Sequence, residues 1–360
     1  MQAVLNPAVR RDEAYRGIFS ASEYAACDAF YESRPSLAPT PLIELPKLAA
    51  RAGVGALTIK DESQRFGLSS FKALGARYVM DRLENAISSS GVVCATAGNH
   101  GRAVARAARD LGVRCTVFVP EMPPDVTPEE RAIRTSRIDG MRGDGAELVE
   151  VAGTYEEAVE RAALYAAGSG ALVVSDTGWP GYERIPHDIM AGYSRLFSEA
   201  ANQWRAQPDV VIVQAGVGGL ACAAASWLAF RYGSTRPFLI VAEPDDSACV
   251  LEAARAGRVV RTSAGPTSPP RTFMAGLRCA EVSHTAWPGI RDGVDAFVTI
   301  PDPFALTAMD DLDGTIAAGP SGACGVGALL AIASESVLRM VRDACLGPST
   351  RVLAVVTEGK

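Results

Sequence analysis

Short apolar runs recur along the chain and alternate with longer stretches in which apolar positions repeat at helical spacing. The runs indicate buried strands because each is short, rich in valine and leucine, and bounded by glycine or polar residues. The predicted strands cover residues 56–59, 92–95, 114–119, 147–151, 172–175, 210–214, 239–242 and 352–356. Alternating strands and helices predict an α/β fold with parallel sheets covered by helices on both faces.

Lys72 is conspicuous because the chain contains only four lysines against 31 arginines. It follows a turn containing Ser69 and Ser70, in the first turn of a helix predicted to begin near Phe71. The helix macrodipole and desolvation both favour a neutral, nucleophilic amine at such a position, which suits Schiff-base chemistry. The segment alone is equally compatible with a solvated lysine at a helix start.

A glycine-containing turn, Thr-Ala-Gly-Asn-His-Gly at residues 96–101, joins the predicted strand 92–95 to a helical pattern at 102–111. Ligands of open parallel sheets bind outside the carboxyl ends of strands, and glycines let the backbone approach a flat ring closely. Asn99 can donate a hydrogen bond to a phenolate-type oxygen. A helix cap without any ligand would show the same residues.

A second such turn, Gln-Ala-Gly-Val-Gly-Gly at residues 214–219, lies between the predicted strand 210–214 and an alanine-rich helix at 220–230. Successive glycine N–H groups at a helix N-terminus bind phosphate without a charged side chain. The turn lacks the Gly-x-Gly-x-x-Gly and Gly-x-x-x-x-Gly-Lys-Ser/Thr spacings, so dinucleotide and ATP binding are disfavoured.

An amine, an asparagine turn and a lysine-free anion cradle are what pyridoxal 5′-phosphate (PLP) requires for its C4′ carbon, its O3′ oxygen and its phosphate. The chain resembles the fold-type II PLP enzymes of the serine/threonine dehydratase and tryptophan synthase β class, and within that class the diaminopropionate ammonia-lyases. The matching motifs lie at residues 60–63, 70–75, 98–102, 176–182, 214–218, 274–279, 321–323 and 357–359.

The resemblance implies a role for each site residue. Lys72 would hold the cofactor and act as the base at the substrate Cα, and Thr357 would face the pyridine nitrogen. Asp176 would bind the substrate's β-amine or assist its protonation, although a structural aspartate fits the pattern too. The remaining implied cofactor contacts are Phe71, Asn99, Gly216, Val217, Gly218 and Gly219. The implied contacts with the substrate carboxylate are Ser69, Ser70 and Thr96, all of which could instead cap helices.

Two positions depart from the family pattern. Ala97 replaces an aspartate that, in relatives accepting both enantiomers, removes the α-proton on the face opposite the lysine. Pro320 stands where related enzymes usually carry a glutamate. The first departure predicts preference for one enantiomer, and the second leaves open a leaving group other than ammonium, such as hydroxyl.

The expected protein is a two-lobed PLP enzyme with the cofactor in the cleft, and the resemblance also implies a homodimer. The large PLP-binding domain would cover residues 1–89 and 191–360, and a small domain at 90–190 would carry the asparagine loop. The expected reaction is α,β-elimination from a β-substituted L-amino acid such as 2,3-diaminopropionate, giving a 2-oxo acid and ammonia. A serine/threonine-type dehydratase, a β-replacement synthase and a PLP-binding protein without catalysis remain alternatives.

Composition narrows the class of protein further. A formal charge of −6 with scattered signs gives no basic patch for nucleic acid, and no apolar stretch approaches the length of a membrane span. The N-terminal residues lack the apolar core of a signal peptide, so a cytoplasmic enzyme is expected. Three separated histidines and the absence of Cys-x-x-Cys disfavour a metal site.

Eight cysteines lie mostly in apolar segments and are expected to be reduced. The resemblance places Cys249 and Cys279 where related lyases can form a loop disulfide, and a reduced, adjacent pair is the expected state here. The Pro/Gly-rich stretches 120–128 and 264–272 are surface loops that could cover a cleft or merely connect elements.

Overall fold

The computed structural model describes residues 1–12, 14–87, 89–122, 126–153, 155–262 and 271–360, so most of the predicted loop 264–272 lies outside the described residues. The strands are β1 (Ala3–Leu5), β2 (Leu42–Glu44), β3 (Ala56–Asp61), β4 (Val92–Ala95), β5 (Cys115–Pro120), β6 (Glu147–Val151), β7 (Leu172–Val173), β8 (Val210–Gln214), β9 (Phe238–Pro244), β10 (Ala296–Ile300) and β11 (Arg351–Val356).

The helices alternate with these strands along the chain. They are α1 (Ala21–Glu32), α2 (Pro46–Arg51), α3 (Lys72–Arg82), α4 (Asn99–Leu111), α5 (Pro128–Gly143), α6 (Tyr155–Ser169), α7 (Arg184–Gln203), α8 (Gly219–Tyr232), α9 (Cys249–Ala256), α10 (Trp287–Gly293), α11 (Asp302–Leu312), α12 (Pro320–Ser334) and α13 (Arg339–Cys345). The chain divides into two compact units.

The first unit comprises Met1–Phe71, Thr177–Glu183 and Tyr193–Lys360. Its seven-stranded sheet has the order β1-β10-β9-β8-β11-β3-β2, and only the two edge strands are antiparallel to their neighbours. The central strands are almost uniformly apolar because helices cover them, and α12 packs on this sheet within the main hydrophobic cluster. Because β8 and β11 are parallel neighbours in this sheet, their carboxyl ends lie side by side.

The second unit comprises Lys72–Asp176 and Arg184–Gly192. Its four strands are all parallel, in the order β6-β5-β4-β7. Helix α4 is strongly amphipathic and ends at Gly112, whose left-handed backbone allows the chain to leave the helix. Gly98 and Asn99 closely follow the carboxyl end of β4. The Asn99 turn therefore lies at the edge where open parallel sheets bind ligands.

The prediction of an α/β fold with parallel sheets is confirmed, and each of the predicted strands corresponds to an observed strand. Strands β1, β2 and β10 were not predicted. The first two are three-residue edge strands, too short to show a period, whereas the β10 run Ala-Phe-Val-Thr-Ile does carry the signal of a buried strand. The unit boundaries also differ from the predicted domains, because residues 72–89 belong to the second unit, in which α3 packs against α4.

A buried ion-pair network holds the segment that leads from β3 toward Lys72. Arg65 is fully buried and pairs with Glu62 at 2.6 Å and with Glu199 at 2.7 Å, while Lys60 pairs with Glu199 at 2.9 Å. Lys60 is thus a structural lysine. Removing one partner would leave an uncompensated buried charge, a change that typically costs about 3–5 kcal/mol.

In the part of the chain that the structure describes, no single helix is long and apolar enough to cross a membrane. One pair, Pro320–Ser334 with Ser336–Cys345, meets the length and composition criterion together but is bent by 95°.

Candidate active site

Lys72 is the first residue of α3 and follows a segment with unusual backbone geometry. Phe66 and Ser69 adopt positive φ angles of 50° and 56°, a region that residues other than glycine seldom occupy. Residues 69–71 are held in place by pairing with the chain after β11: the Phe71 N–H donates to the Thr357 carbonyl at 3.1 Å, and the Gly359 N–H donates to the Ser69 carbonyl at 2.9 Å. The backbone therefore places the residue before Lys72 beside Thr357.

The Lys72 amine forms a hydrogen-bonded ion pair with Asp176, and both side chains are largely buried, with 22% and 13% exposure. Asp176 lies shortly after β7, at the carboxyl edge of the second sheet. His100 completes a cluster of three titratable side chains, with its Nδ1 atom 3.9 Å from Asp176 Oδ2. The His100 Nε2 atom lies 2.9 Å from the Val174 carbonyl oxygen, which can only accept, so this nitrogen carries the hydrogen.

The charge state of Asp176 follows from this cluster. Burial by itself would raise the pKa of the carboxyl, but the neighbouring His100 and Lys72 outweigh it and hold the pKa of Asp176 well below its usual range. Asp176 is consequently a carboxylate at neutral pH. It places a negative charge beside Lys72, the lysine that the sequence analysis predicts to be a nucleophile.

The Asn99 turn has the predicted position and a specific internal structure. Helix α4 begins at Asn99, and the Gly98 N–H donates to Thr96 Oγ1 at 3.0 Å. Because Thr96 accepts in this bond, its own hydroxyl hydrogen remains available to donate elsewhere. A Cβ at Gly101 would collide with the Thr96 methyl and lie 3.0 Å from Met141 Cε, so this close packing requires glycine.

Two carbonyl groups of the glycine turn after β8 accept hydrogen bonds. The Val217 carbonyl accepts from the Ser283 N–H at 2.9 Å, and the Gly216 carbonyl accepts from the Cys249 thiol at 3.4 Å. In a trans peptide, a carbonyl and the following N–H point in opposite directions. The N–H groups of Val217 and Gly218 therefore point away from Ser283 and Cys249, as an anion cradle at the start of α8 requires.

Two further features keep that turn open. Gly218 has a φ of 92°, and a Cβ there would lie 2.5 Å from Ile290 Cδ1. A Cβ at Gly216 would lie 3.0 Å from Cys279 Sγ. Cys249 and Cys279 both approach Gly216 without forming a disulfide, and burial raises the pKa of the Cys249 thiol. A side chain at Gly218 would be strained, and one at Gly216 would require its neighbours to move.

Thr357 is buried directly after β11, and its hydroxyl has a defined partner. Gln214, the last residue of β8, donates from Nε2 to Thr357 Oγ1 at 2.7 Å. This partner did not emerge from the sequence, because the two residues are 143 positions apart and meet only through the adjacency of β8 and β11. His100 was also not predicted as a site residue, although it lies within the Gly-Asn-His-Gly motif.

Glu243, near the end of β9, binds the first residues of α9, which pack beside the glycine turn. Its two carboxylate oxygens accept the N–H groups of Val250 and Leu251, each at 2.8 Å, and burial raises the pKa of Glu243 to about 8. The residue before Val250 is Cys249, whose thiol donates to the Gly216 carbonyl. By holding the start of α9, Glu243 therefore indirectly positions Cys249 against the glycine turn.

The raised pKa of Glu243 predicts a pH-dependent stability. The folded protein retains the proton that the unfolded chain loses near pH 4.5, so the stabilisation is complete below about 4.5 and is lost as pH rises toward about 8. We expect the free energy of unfolding to fall by a few kcal/mol over this range. Denaturant unfolding of Glu243→Gln should show a shallower pH slope than the unmodified protein. Equal slopes would contradict the assignment.

The residues present fit PLP chemically. Lys72 supplies a partly buried amine, the N–H groups after β8 supply an uncharged anion cradle, and Thr357 supplies a buried hydroxyl. Lys72, Asp176 and His100 converge within the second unit, whereas Thr357, Gln214 and the backbone of residues 69–71 converge within the first.

Comparison with known proteins agrees with this chemistry. The model of the family described as pyridoxal-phosphate dependent enzyme matches residues 34–358. The chain belongs to this family. Diaminopropionate ammonia-lyase of Salmonella typhimurium is 33% identical, over 92% of this chain and 87% of the relative. The biosynthetic L-threonine dehydratase of Mycobacterium leprae is 29% identical, over 82% of this chain and 65% of the relative.

Among solved structures, Escherichia coli diaminopropionate ammonia-lyase in complex with an aminoacrylate–PLP azomethine intermediate is similar, with a TM-score of 0.87 and 30% identity. That match covers 100% of this chain and 94% of the other. The fold-type II class predicted from the motifs is therefore confirmed, as is PLP as the cofactor of the family.

Proposed function

We propose that this protein is a PLP-dependent ammonia-lyase that eliminates the β-amine from L-2,3-diaminopropionate or a closely similar β-substituted L-amino acid. The products would be a 2-oxo acid and ammonia. The observation that carries the proposal is the ionised Asp176 carboxylate in contact with the Lys72 amine. Similarity to diaminopropionate ammonia-lyases over nearly the whole chain supports it independently.

When bound, PLP supplies an electron sink that stabilises negative charge at the substrate Cα. Lys72 would hold its C4′ carbon, Asn99 its O3′ oxygen, and the N–H groups of residues 216–219 its phosphate. Phe71 would flank the ring. Thr357 would present a neutral hydroxyl to the pyridine nitrogen, an arrangement that suits elimination better than transamination because a carboxylate there would keep the nitrogen protonated.

Lys72 would take the α-proton of the substrate at Nζ, since a positioned base with a neutral amine can do so at neutral pH. Ser69, Ser70 and Thr96 would bind the substrate carboxylate. The Thr96 hydroxyl is suited to this role because its oxygen already accepts from Gly98 and its hydrogen can donate to an anion.

Asp176 distinguishes among leaving groups. To take the α-proton of a bound substrate, Lys72 would have to be a neutral amine, so it would no longer balance the charge of Asp176, and a buried carboxylate needs a cationic or donating partner. The β-ammonium of diaminopropionate provides one, and it can depart as neutral ammonia. A β-hydroxyl is uncharged, so it would gain less from this carboxylate.

The second candidate is a serine/threonine-type dehydratase, favoured by Pro320 at the family's glutamate position and by the similarity to a threonine dehydratase. The deciding experiment is a screen of purified protein for 2-oxo acid release from L-2,3-diaminopropionate, L-serine, L-threonine and β-chloro-L-alanine. The highest kcat/KM is expected for L-2,3-diaminopropionate. Added thiol would reveal a replacement synthase by trapping the product, and absence of any 2-oxo acid would indicate a non-catalytic PLP-binding protein.

Asp176→Asn tests the role of the carboxylate. Loss of one charge-assisted contact, worth about 1.5–3 kcal/mol, should lower kcat/KM for L-2,3-diaminopropionate by about 10- to 100-fold. The effect on L-serine should be several-fold smaller because its leaving group carries no charge. Asp139→Asn, at an exposed position, is the matched control. Equal losses for both substrates would assign Asp176 to a step common to them.

We also propose that the enzyme works in the cytoplasm as a homodimer. Eight cysteines, none of them in a disulfide and most of them buried, suit a reducing compartment. Light scattering coupled to size-exclusion chromatography should give twice the mass of the chain, and a monomeric mass would refute the dimer.

A further inference from the structure

Gln214 makes a set of contacts that the proposed chemistry leaves unexplained. It is 2% exposed, and its Nε2 atom lies 2.9 Å from the Ser321 carbonyl oxygen, 2.9 Å from the Gly322 carbonyl oxygen and 2.7 Å from Thr357 Oγ1. The amide thus joins the end of β8, the first turn of α12 and the residue after β11. All of these residues lie within the first unit.

The orientation of the amide is determined by its backbone partners. The carbonyl oxygens of Ser321 and Gly322 can only accept hydrogen bonds, so the amide nitrogen and not its oxygen must face them. The opposite orientation would set three acceptors against one another in a buried site. Gly325 leaves room beside the amide, because a Cβ there would lie 3.0 Å from Gln214 Oε1.

The direction of the Thr357 hydroxyl hydrogen follows. An amide nitrogen has no lone pair available to accept, and its two hydrogens are shared among the three neighbouring oxygens, so Thr357 Oγ1 can only accept in its contact with Gln214. The hydroxyl hydrogen is then directed to a different partner. A hydroxyl whose oxygen is already accepting is also polarised toward donation, since linked hydrogen bonds strengthen one another.

We propose that Gln214 is a positioning residue that makes Thr357 a hydrogen-bond donor to the pyridine nitrogen of PLP and thereby keeps that nitrogen unprotonated. This inference rests on the proposed function, in which Thr357 faces the ring nitrogen. A nitrogen that accepts a hydrogen bond must keep its lone pair, so the contact favours the neutral ring. The selection of elimination over reactions that need a protonated ring thus depends on a glutamine that acts through Thr357.

The direct test is nitrogen NMR of the protein reconstituted with PLP labelled with ¹⁵N in the ring. The unmodified protein should show the chemical shift of a neutral, hydrogen-bonded pyridine nitrogen. In Gln214→Glu, the buried carboxyl faces the Ser321 and Gly322 carbonyls, so it keeps its proton and donates it to one of them while its oxygen accepts from Thr357. The Thr357 oxygen then turns its lone pairs toward the ring. The ring signal should then move toward the value that free PLP shows in acid.

A double-mutant cycle measures the same coupling through cofactor affinity. Gln214→Met should weaken PLP binding about tenfold when Thr357 is present, the loss expected for one buried hydrogen-bonded contact. In a Thr357→Val background there is no hydroxyl to orient, so Gln214→Met should have little further effect. Gln207→Met removes another amide that donates to a backbone carbonyl, that of Thr235, and it should leave both the affinity and the ring signal unchanged.

The outcomes separate this inference from the proposed function. If the unmodified protein fails to bind PLP or to release 2-oxo acid, the proposed function is wrong. If it does both, but the ring signal is the same in Gln214→Glu, or Gln214→Met weakens binding equally with and without the Thr357 hydroxyl, Gln214 only braces α12 and the inference is overturned. Should Gln214→Glu not fold, the affinity cycle with Gln214→Met decides alone.

Discussion

Replacing Lys72 by alanine should lower 2-oxo acid release from L-2,3-diaminopropionate by about 10⁴-fold, the upper end of what one positioned base contributes. The expected loss is this large because Lys72 combines two roles in the proposed function, the attachment of PLP and the removal of the α-proton. Lys72→Ala should also retain PLP less firmly, although the glycine turn still offers its N–H groups to the phosphate. Steady-state kinetics and equilibrium dialysis of PLP would measure the two effects.

Covalent labelling locates the lysine directly. Borohydride reduction of the holoenzyme should attach a pyridoxyl group to the peptide containing Lys72, and the label should be absent from Lys72→Ala. Lys47→Ala removes an exposed lysine on α2 and should leave rate and labelling unchanged. Label on Lys60 would overturn the assignment, although the Lys60 side chain is fully buried and its amine is paired with Glu199, so reagents cannot reach it.

The parts of the site that could be predicted from sequence are those produced by local chain geometry. A glycine turn between a buried strand and a helix gives an N–H cradle wherever it occurs, and an amine in the first turn of a helix is visible from its neighbours. Lys72, Asn99 and Gly216 were therefore predicted one by one. The resemblance supplied what connected them, and the family match agrees with PLP as the cofactor, while the role of each residue stays a prediction.

The contacts that could not be predicted join residues far apart in the chain. Gln214 reaches Thr357 because β8 and β11 are adjacent, an order that depends on every crossover in the sheet. The pairing of residues 69–71 with residues 357–359 has the same origin. The positive φ angles of Phe66 and Ser69 carry no sequence signature either, since neither residue is glycine.

The unit boundary illustrates a related difficulty. The sequence predicted a small domain beginning near residue 90, just before the first strand of its sheet. Helix α3 groups with this sheet because it packs on α4, and packing partners cannot be read from the composition of a helix. One consequence is that Lys72 and Phe71, neighbours in sequence, fall in different compact units.

The strictest expectation concerns stereochemistry. The two enantiomers of an amino acid present the α-proton to opposite faces of the cofactor plane, so each needs a base on its own side. Lys72 serves one face, and Ala97 stands where the resemblance places an aspartate for the other. We expect D-2,3-diaminopropionate to be turned over at least about 100-fold more slowly than the L-enantiomer, the lower bound of what a positioned base contributes.

Ala97→Asp should restore part of the missing activity. A carboxylate at the start of α4 would lie at the positive end of the helix dipole, which favours its ionised, basic form. Rates of 2-oxo acid release from the D-enantiomer should rise at least tenfold, whereas Ala97→Asn, of nearly equal size but without a basic oxygen, should give no increase. Comparable rates for both enantiomers in the unmodified protein would contradict the one-base assignment. Asp176, the carboxylate already hydrogen-bonded to Lys72, would then be the second base.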